Sequence, residues 1–419
     1  MWEEASWRPS APTSRARREV PVGEPPLAAA LYIHVPFCRA KCRYCDFFSL
    51  AADPSWFAPY VQAVEAQMAW AARQAEIAPQ TLYVGGGTPT VLPLDLLLRL
   101  LQACIRLWGP PATGELTVEA NPGTLSRGDL RRLAEAGVTR LSLGVQSTQD
   151  RALRLLGRIH TAAEALQALE EAKEAGFRSV GVDLIFGLPG QTLEEWEQTL
   201  RTVLAFAPEH LSAYALTVEP GTPLHEDVAA GRLPPPDDDL AADLYLLAEE
   251  VLDAAGYRHY ELSNWARRDP TWDHRSRHNL AYWRNEVWLG FGAGAHSHAF
   301  GRRWHEVEDL PRFLRAWAEA PGQGEGRVPL YASPTACEVE TISREQGMAE
   351  TLFLGLRLVE EGVPRQRFRE RFGVSVEAVY GPILEELEAQ GLLQVDEERI
   401  VLTPRGRLLA NQVFLRFLP

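Results

Sequence analysis

The sequence predicts an α/β protein in which an open parallel (β/α) barrel of six units precedes a mostly helical C-terminal domain. Six short runs of β-branched or aromatic residues begin about 24 to 50 residues apart. Amphipathic stretches with helical periodicity fill the intervals between these runs. Right-handed βαβ crossovers need this spacing, so the six runs predict neighbouring parallel strands.

The predicted strands and helices alternate along the chain without an internal sequence repeat. The strands are at residues 31–35, 81–84, 116–119, 140–145, 180–185 and 211–216. Helical patterns between them are at residues 56–73, 94–106, 162–175 and 193–205. Because the carboxyl ends of the strands of such a barrel open on one face, we expect the functional residues on that face.

The domain organisation predicted from the sequence has four segments. They are a flexible leader at 1–28, the barrel at 29–232, a barrel extension at 233–320 and a winged-helix-like domain at 321–419. Residues 256–304 are rich in His, Asn, Trp, Tyr and Gly, a composition that suits loops covering a site. Residues 320–327 contain three glycines and are predicted as a linker. Helical patterns at 342–358, 368–372 and 376–389 precede a hairpin at 392–395 and 400–402 and a final helix at 404–417.

Composition and charge exclude several classes of function. The 419 residues include 42 Lys plus Arg and 56 Asp plus Glu, a net charge of -14, which disfavours nucleic acid and anionic membranes as general partners. Residues 337–419 hold 10 basic and 14 acidic side chains, so the winged-helix-like segment is not expected to bind DNA. The chain has no run of 18 apolar residues, and its first residues lack a signal peptide's apolar core, so a cytoplasmic location is predicted.

Three of the five cysteines lie within eight residues, directly after the first predicted strand. Cys38, Cys42 and Cys45 have C-x3-C-x2-C spacing, and three thiolates on one loop suit three irons of a cubane cluster whose fourth iron stays open. A zinc site lacking its fourth ligand and three incidental cysteines are the alternatives; no second C-x2-C pair completes a zinc site. Cys104 and Cys337 are predicted to be ordinary thiols in helical or linker context.

The cysteine motif resembles that of the radical S-adenosylmethionine (SAM) superfamily, whose fold is a partial TIM barrel. Within it, the string YIHVPFC at residues 32–38 resembles the oxygen-independent coproporphyrinogen III oxidase family and its HemW-type heme chaperone branch. The resemblance implies a [4Fe-4S] cluster on the three cysteines and SAM chelated by the open iron. It further implies that one electron from the reduced cluster cleaves SAM to methionine and a 5′-deoxyadenosyl radical.

The same resemblance implies which residues hold SAM. The triple-glycine turn at residues 85–87 allows the backbone to approach a ligand because glycine has no Cβ. The other implied residues follow at or near the ends of successive strands, where they would share one face. The implied SAM-binding set is Tyr32, Tyr44, Gly85, Gly86, Gly87, Thr88, Glu119, Gln146, Arg158 and Asp183.

A second group of candidate residues lies in the late aromatic region. His278, Tyr282 and Trp283 belong to the string HNLAYW, which resembles one associated with heme in the chaperone branch. An imidazole can ligate heme iron, and aromatic rings offer flat apolar faces to a macrocycle. The alternative is that these side chains only pack their segment against the barrel.

Two functions remain from the resemblance, a heme chaperone and a decarboxylating coproporphyrinogen III oxidase. The oxidases carry a further cysteine two residues after the third cluster ligand, where this chain has Phe47, and a longer N-terminal extension. Both differences favour the chaperone. We therefore expect heme as cargo, a heme-accepting apoprotein and an electron donor as partners, and membrane contact only through a partner. The chaperone prediction includes an open barrel mouth bordered by Tyr282 and Trp283.

Overall fold

The structure, a computed structural model, describes residues 25–319 and 327–418. Most of the predicted leader and nearly all of the predicted linker lie outside these residues, so both stay predictions. Strands of the first part are β1 (Leu27–Val35), β2 (Phe37–Cys38), β3 (Leu50–Ala51), β4 (Ile77–Gly86), β5 (Glu115–Ala120), β6 (Arg140–Gln146), β7 (Ser179–Phe186) and β8 (His210–Ala215). Its helices are α1 (Pro54–Gln74), α2 (Leu94–Trp108), α3 (Arg127–Glu135), α4 (Asp150–Leu155), α5 (Ala162–Glu174) and α6 (Leu193–Leu204).

All six predicted barrel strands are present, as β1 and β4 to β8, and they pair in parallel in chain order. Along each strand, side chains alternate between a face packed on the helices and a face turned into the barrel. Leu82 and Val84 of β4, for example, are buried in the apolar core, whereas Tyr83 between them lines the interior cavity. Helices α3, α5 and α6 each begin with a capping box.

The second part of the chain extends the barrel sheet at both edges. Its elements are α7 (Pro223–Ala229), α8 (Asp238–Ala254), β9 (Tyr257–Glu261), β10 (Asn264–Arg267), α9 (Arg277–Trp283), β11 (Trp288–Phe291), β12 (His296–Ala299), β13 (Arg302–Glu306) and α10 (Leu310–Ala318). The prediction of loops at residues 256–304 was therefore wrong, since five strands and a helix lie there. Strands of four or five residues rich in His, Trp and Gly show little alternation, and pairing with distant strands stabilises them.

Strand β11 adds a seventh parallel strand to the barrel, next to β1, with Ala30 opposite Trp288 and Ile33 opposite Phe291. Antiparallel strands β12 and β13 continue this edge, and β10 and β9 continue the other edge beyond β8. Within the described residues the outermost strands of the sheet do not pair with each other, so the barrel is open. The predicted open barrel fold is confirmed.

The C-terminal part contributes one strand to the barrel sheet and then forms a separate small core. Its elements are β14 (Ala336–Thr341), α11 (Arg344–Gly355), β15 (Val363–Pro364), α12 (Arg365–Phe372), α13 (Val376–Ala389), β16 (Leu393–Val395), β17 (Arg399–Leu402), α14 (Pro404–Leu408) and α15 (Ala410–Leu415). Helices α11 to α13 pack with the three-stranded sheet β15-β17-β16 around a small apolar core that Leu262, between β9 and β10, also joins. This matches the predicted winged-helix-like arrangement. The predicted final helix is interrupted at Leu409.

Two further findings concern single features. Cys337 lies in β14, which pairs with β13, and not in the helical or linker context predicted for it. Among the residues that the structure describes, none of the helices is long and apolar enough to cross a membrane.

Candidate functional site

A large cavity of about 1030 Å³ occupies the barrel interior and opens at the carboxyl ends of the strands. Its volume is at the upper end of the range for small-molecule sites. The walls are formed by inward-facing, mainly polar residues of β4 to β8, for example Thr117, Ser142 and Ser212. A polar interior on strands whose other face is apolar indicates a ligand site and not a packed barrel core.

The predicted cluster ligands Cys38, Cys42 and Cys45 all lie at the rim of this cavity and are partly buried. The short strands β2 and β3 hold the start and the end of their loop together. The middle of the loop is fixed by backbone hydrogen bonds from Arg43 N to Leu156 O (3.0 Å) and from Leu224 N to Arg43 O (2.9 Å). Three thiols on an anchored loop at the cavity rim form a preorganised metal site.

The spacing of the three sulfurs discriminates between a single zinc ion and a cluster. Within residues 25–319 and 327–418, only His296, His305 and Glu308 bring three potential ligand atoms within 4.8 Å of one another. The cysteine sulfurs are spread more widely than one tetrahedral zinc ion with bonds of about 2.3 Å requires. In a cubane each cysteine binds a different iron, so the sulfurs need not converge on one point. The donor set therefore fits a cluster better than zinc.

The surroundings of the cysteines suit thiolates only if positive charge is supplied. Burial raises the pKa of the Cys38 and Cys45 thiols, and iron ions would supply the compensating charge. Thr88 Oγ1 donates a hydrogen bond to Cys38 Sγ (3.7 Å), and Arg158 Nη1 donates one to Cys42 Sγ (3.3 Å). Both contacts stabilise sulfur in its anionic form.

The triple-glycine turn packs tightly against the cysteine loop at the end of β4. A Cβ on Gly87 would lie 2.8 Å from Phe37 O and 2.9 Å from Cys38 Sγ. Gly86 has a φ of +114°, and its Cβ would meet the His34 ring at 2.7 Å. Gly86 and Gly87 line the cavity, while Gly85 lies against Glu119 and Tyr83. Glycine is required here because the backbone itself forms the wall beside the cysteines.

Glu119 presents a buried carboxyl group to the cavity. Tyr83 OH donates to its Oε1 (2.6 Å) and Gly86 N donates to its Oε2 (3.2 Å). Burial raises the pKa of Glu119 to about 7, although the hydrogen bonds from Tyr83 and Gly86 oppose this effect. A cationic group bound next to it would lower this pKa and gain a charged partner.

The other SAM-site candidates also reach the cavity. Asp183 accepts a hydrogen bond from Ser142 Oγ (3.0 Å), and burial raises the pKa of its carboxyl group. Gln146 ends β6 in the left-handed region, with a φ of 67°, a conformation that costs energy for a residue with a side chain. Arg158 Nη2 donates to Gly144 O (2.8 Å), so the same guanidinium ties β6 to the cysteine loop.

The two tyrosines of the predicted set occupy different levels of the cavity. Tyr44 lies on the cysteine loop and packs against a small apolar cluster, whereas Tyr32 lies deeper, with its hydroxyl 3.0 Å from His34 Nδ1. All the predicted cluster and SAM residues except Gly85 line the one cavity. Thr117 Oγ1, buried on the same wall, has no hydrogen-bond partner among the described residues, so the wall retains an unused polar atom for a ligand.

Sequence reasoning missed several cavity residues, including Tyr83, Asn121, Ser142, Ser212 and Tyr214. Most of these residues could have been found from the alternation of inward-facing and outward-facing side chains along each strand. Residues two positions apart share a face, so Tyr83 and Ser142 were identifiable from their neighbours on β4 and β6. Asn121, which donates to Thr88 Oγ1 (2.8 Å), belongs to the string that contains Glu119.

The heme candidates do not border the mouth of the cavity as predicted. His278 and Tyr282 lie on α9, which closes the opposite end, and they form its floor. Both ring nitrogens of His278 are engaged, Nδ1 with Thr81 Oγ1 (2.8 Å) and Nε2 with Tyr282 OH (2.9 Å). Trp283 is not part of the cavity wall; its ring lies under the Arg357 guanidinium, 4.2 Å from the ring centroid. Consecutive helical residues point in different directions, and this separates Tyr282 from Trp283.

An anchored three-cysteine loop over an open parallel barrel defines the class of radical SAM proteins. The sequence model of the Radical SAM superfamily matches residues 32–203, and that of the HemN C-terminal domain matches residues 342–409. The chain is similar to Heme chaperone HemW of Bacillus subtilis (strain 168), with 37% identity over 92% of this chain and 98% of that protein. It belongs to the HemW heme chaperone family, and the family predicted from the sequence is confirmed.

Further relatives agree with this assignment. Heme chaperone HemW of Mycobacterium tuberculosis (strain H37Rv) is 35% identical over 94% of this chain and 98% of its own length. Radical S-adenosyl methionine domain-containing protein 1, mitochondrial, of Mus musculus is 34% identical over 99% of this chain and 94% of its own length. Coproporphyrinogen III oxidase (HemN) from Escherichia coli has the same fold, with a TM-score of 0.78 over 94% of this chain and 90% of that chain at 23% identity.

Proposed function

We propose that this protein is a heme chaperone that binds a [4Fe-4S] cluster, SAM and heme, and delivers the heme to an apoprotein. The observation that carries the proposal is the 37% identity to a protein named as a heme chaperone, over 92% of this chain. The match spans the barrel and the C-terminal domain alike. A cytoplasmic location, an electron donor for the cluster and membrane contact only through a partner belong to the same proposal.

In this proposal Cys38, Cys42 and Cys45 each bind one iron, and SAM binds the remaining iron. The bound cluster supplies the electron for reductive cleavage of SAM. The protein's own contribution is to bury the sulfurs and to stabilise their negative charge. Arg158 does so at Cys42 and Thr88 does so at Cys38, through the contacts of 3.3 Å and 3.7 Å.

The proposed SAM site is the wall between the glycine turn and the ends of β5 to β7. Glu119 and Asp183 are buried carboxyl groups in that wall, and a ligand with an ammonium group and a sulfonium would favour their ionised forms. The hydroxyl of Thr117 is available to a ligand hydroxyl or amine. We include Tyr32, Tyr44, Gly85, Gly86, Gly87, Thr88, Gln146 and Arg158 in this proposed site.

For heme, the proposed contact surface is the rim beside the cysteine loop. Phe47 lines the cavity mouth and is 63% exposed, so its ring is free to meet a ligand there. An exposed aromatic face suits an apolar macrocycle. His278 is an unsuitable iron ligand in this conformation, because both its nitrogens are hydrogen bonded at the floor.

The experiment that tests the proposal begins with anaerobic assembly of the cluster on the full chain. Heme titration, heme transfer to a heme-free acceptor protein and coproporphyrinogen III decarboxylation are then measured in parallel. We expect saturable heme binding and transfer to the acceptor, without porphyrin turnover. Sustained decarboxylation would support the oxidase function, and absence of heme binding would contradict the chaperone function.

A matched pair of variants tests the proposed heme surface. Phe47→Ala removes the exposed ring at the rim, and we expect weaker heme binding with unchanged iron content. Phe300→Ala is the control, since Phe300 is also exposed, at 55%, but lies outside the cavity, between β12 and β13. Equal heme affinities in both variants would remove Phe47 from the proposal and leave the function standing.

A further inference from the structure

The loop and hairpin that follow β11 bring three potential metal ligands together at the cavity rim. His296 begins β12, and His305 lies directly opposite it on β13. Glu308 follows two residues after β13 ends. One ligand atom from each of the three residues lies within 4.8 Å of the other two. None of them belongs to the proposed cluster or SAM sites.

We propose that His296, His305 and Glu308 form a binding site for one divalent transition-metal ion such as Zn²⁺, Co²⁺ or Fe²⁺. Two imidazoles and one carboxylate are a ligand set that such ions accept, and three protein ligands leave a further position open. His296 and Glu308 line the main cavity, so the open position is reachable from it.

The hydrogen bonding of His305 is that of a metal-binding histidine. Its Nδ1 lies 3.0 Å from the backbone oxygen of Glu306 and donates to it, which leaves Nε2 for another partner. Metal-ligating histidines have this arrangement, in which a carbonyl fixes the ring by its other nitrogen. Nε2 also lies 3.5 Å from the Glu338 carboxylate. The Nε2 side of the His305 ring therefore faces an anionic group.

His296 is equally suited to act as a ligand. Neither of its ring nitrogens has a hydrogen-bond partner among the residues the structure describes, and its ring stacks on His305 with centroids 5.1 Å apart. Burial, with a contribution from His305, lowers the pKa of His296. Arg303 is paired with Glu350 at 2.8 Å, and Glu308 forms no salt bridge among the residues that the structure describes.

The strand pairing also makes the site rigid. His296 and His305 are held opposite each other by the ladder of β12 and β13, which continues to Ala299 and Arg302. On the other side, the loop before His296 is fixed to the cysteine loop, since a Cβ on Gly294 would meet the Phe48 ring at 2.7 Å. A ligand set on paired strands keeps its geometry before the ion arrives.

The test uses the full chain with its cluster assembled, so that iron already occupies the cysteines. Co²⁺ is titrated under anaerobic conditions and followed by its visible absorption and by calorimetry. We expect one Co²⁺ per chain, without the sulfur-to-cobalt charge-transfer band that binding to cysteine would give. Zn²⁺ should displace it. Failure of the wild-type protein to bind Co²⁺ or Zn²⁺ at micromolar concentrations would overturn the proposal.

Variants identify the ligands. His296→Ala, His305→Ala and Glu308→Gln should each lower the affinity by about 100-fold or more, because loss of even an outer partner of a metal ligand costs about 10- to 100-fold. His225→Ala, on α7 and outside the proposed ligand set, is the control and should bind like the wild type. Wild-type metal affinity in the three variants would overturn the assignment. So would loss of heme binding in His296→Ala with unchanged metal binding, since His296 would then be a heme ligand.

Discussion

The two ends of the barrel differ in whether their polar groups are hydrogen bonded within the protein or available to a ligand. At the floor, the Glu115 carboxylate accepts hydrogen bonds from the backbone nitrogens of Arg277 and His278, both at 2.9 Å, and the ring of His278 is bonded on both sides. At the rim, the thiols of Cys38, Cys42 and Cys45 are only half-buried and remain available to a metal. The same strands therefore serve stability at their amino ends and ligand binding at their carboxyl ends.

This comparison explains why the late aromatic motif misleads when it is interpreted from sequence alone. His278 and Tyr282 have the chemistry of a heme site, but α9 places them where their polar atoms satisfy one another. The motif closes the barrel, and its last residue, Trp283, joins α9 to the C-terminal domain through Arg357. A residue's chemistry indicates a function only when its polar atoms remain available to a ligand.

The largest expected effect is on cluster assembly at the rim, in a variant that leaves the floor of the barrel unchanged. Cys42→Ala should abolish cluster assembly, because the remaining two thiolates cannot hold a cubane in place. Iron content per chain after anaerobic reconstitution and far-UV circular dichroism are the measurements. We expect iron at background level with the helical spectrum retained. Cys337→Ser, outside the cavity on β14, is the control and should keep its iron; equal iron in both variants would exclude Cys42 as a ligand.

The next largest effect is on the stability of the protein and comes from the floor of the barrel. Glu115→Ala leaves two buried backbone N–H groups at the start of α9 without an acceptor, which should cost about 2 to 4 kcal/mol of unfolding free energy. The loss is measured by urea unfolding of this variant and of Glu170→Ala, a control on the exposed surface of α5. We expect a large loss for Glu115→Ala only, with normal iron content after reconstitution. Unchanged stability would show that the floor does not depend on this carboxylate.

A smaller effect concerns pH at the rim. The pKa of Glu119 is about 7 in the folded protein, above its ordinary value of 4.5, because burial disfavours the charged form. Between these values the folded state holds a proton that the unfolded state has released, so stability falls as pH rises, by at most about 1.4 kcal/mol per pH unit. Glu119→Gln should remove this part of the slope.

Thermal or urea unfolding from pH 5 to pH 8 checks the prediction for Glu119. Glu306, whose pKa burial also raises to about 7, contributes a similar slope in both proteins, so only the difference between them is informative. The wild type and the variant should diverge most above pH 7, with the variant more stable. Parallel curves would mean that Glu119 is already ionised at pH 5.

The smallest expected effect tests the floor's hydrogen-bond network. Tyr282→Phe removes the partner of His278 Nε2 and should cost about 1 kcal/mol of stability. If His278 could bind heme iron once its Nε2 is free, this variant would bind heme more strongly and its heme spectrum would change. We expect neither change, with heme titration followed by absorption spectroscopy as the measurement.

Much of the barrel and its rim was predictable because the signals are local. The six strands show β-branched and aromatic runs of their own, and the cysteine spacing needs only a few residues to define a metal loop. Strand β11 was not predictable in this way, since the sequence WLGF shows no alternation and depends on β1 for its pairing. The sequence also did not predict whether a residue lies at the mouth or at the floor of the barrel, as the position of His278 at the floor shows.

By itself, the sequence determined the parallel barrel, the three-cysteine loop at its carboxyl face and membership of one family, because periodicity and close spacing are properties of short segments. Only the tertiary structure decided that α9 closes the barrel floor, that a seventh strand lies beside β1, and that His296, His305 and Glu308 meet. Contacts between distant segments depend on how strands pair and helices pack, and no local pattern in the chain encodes those pairings.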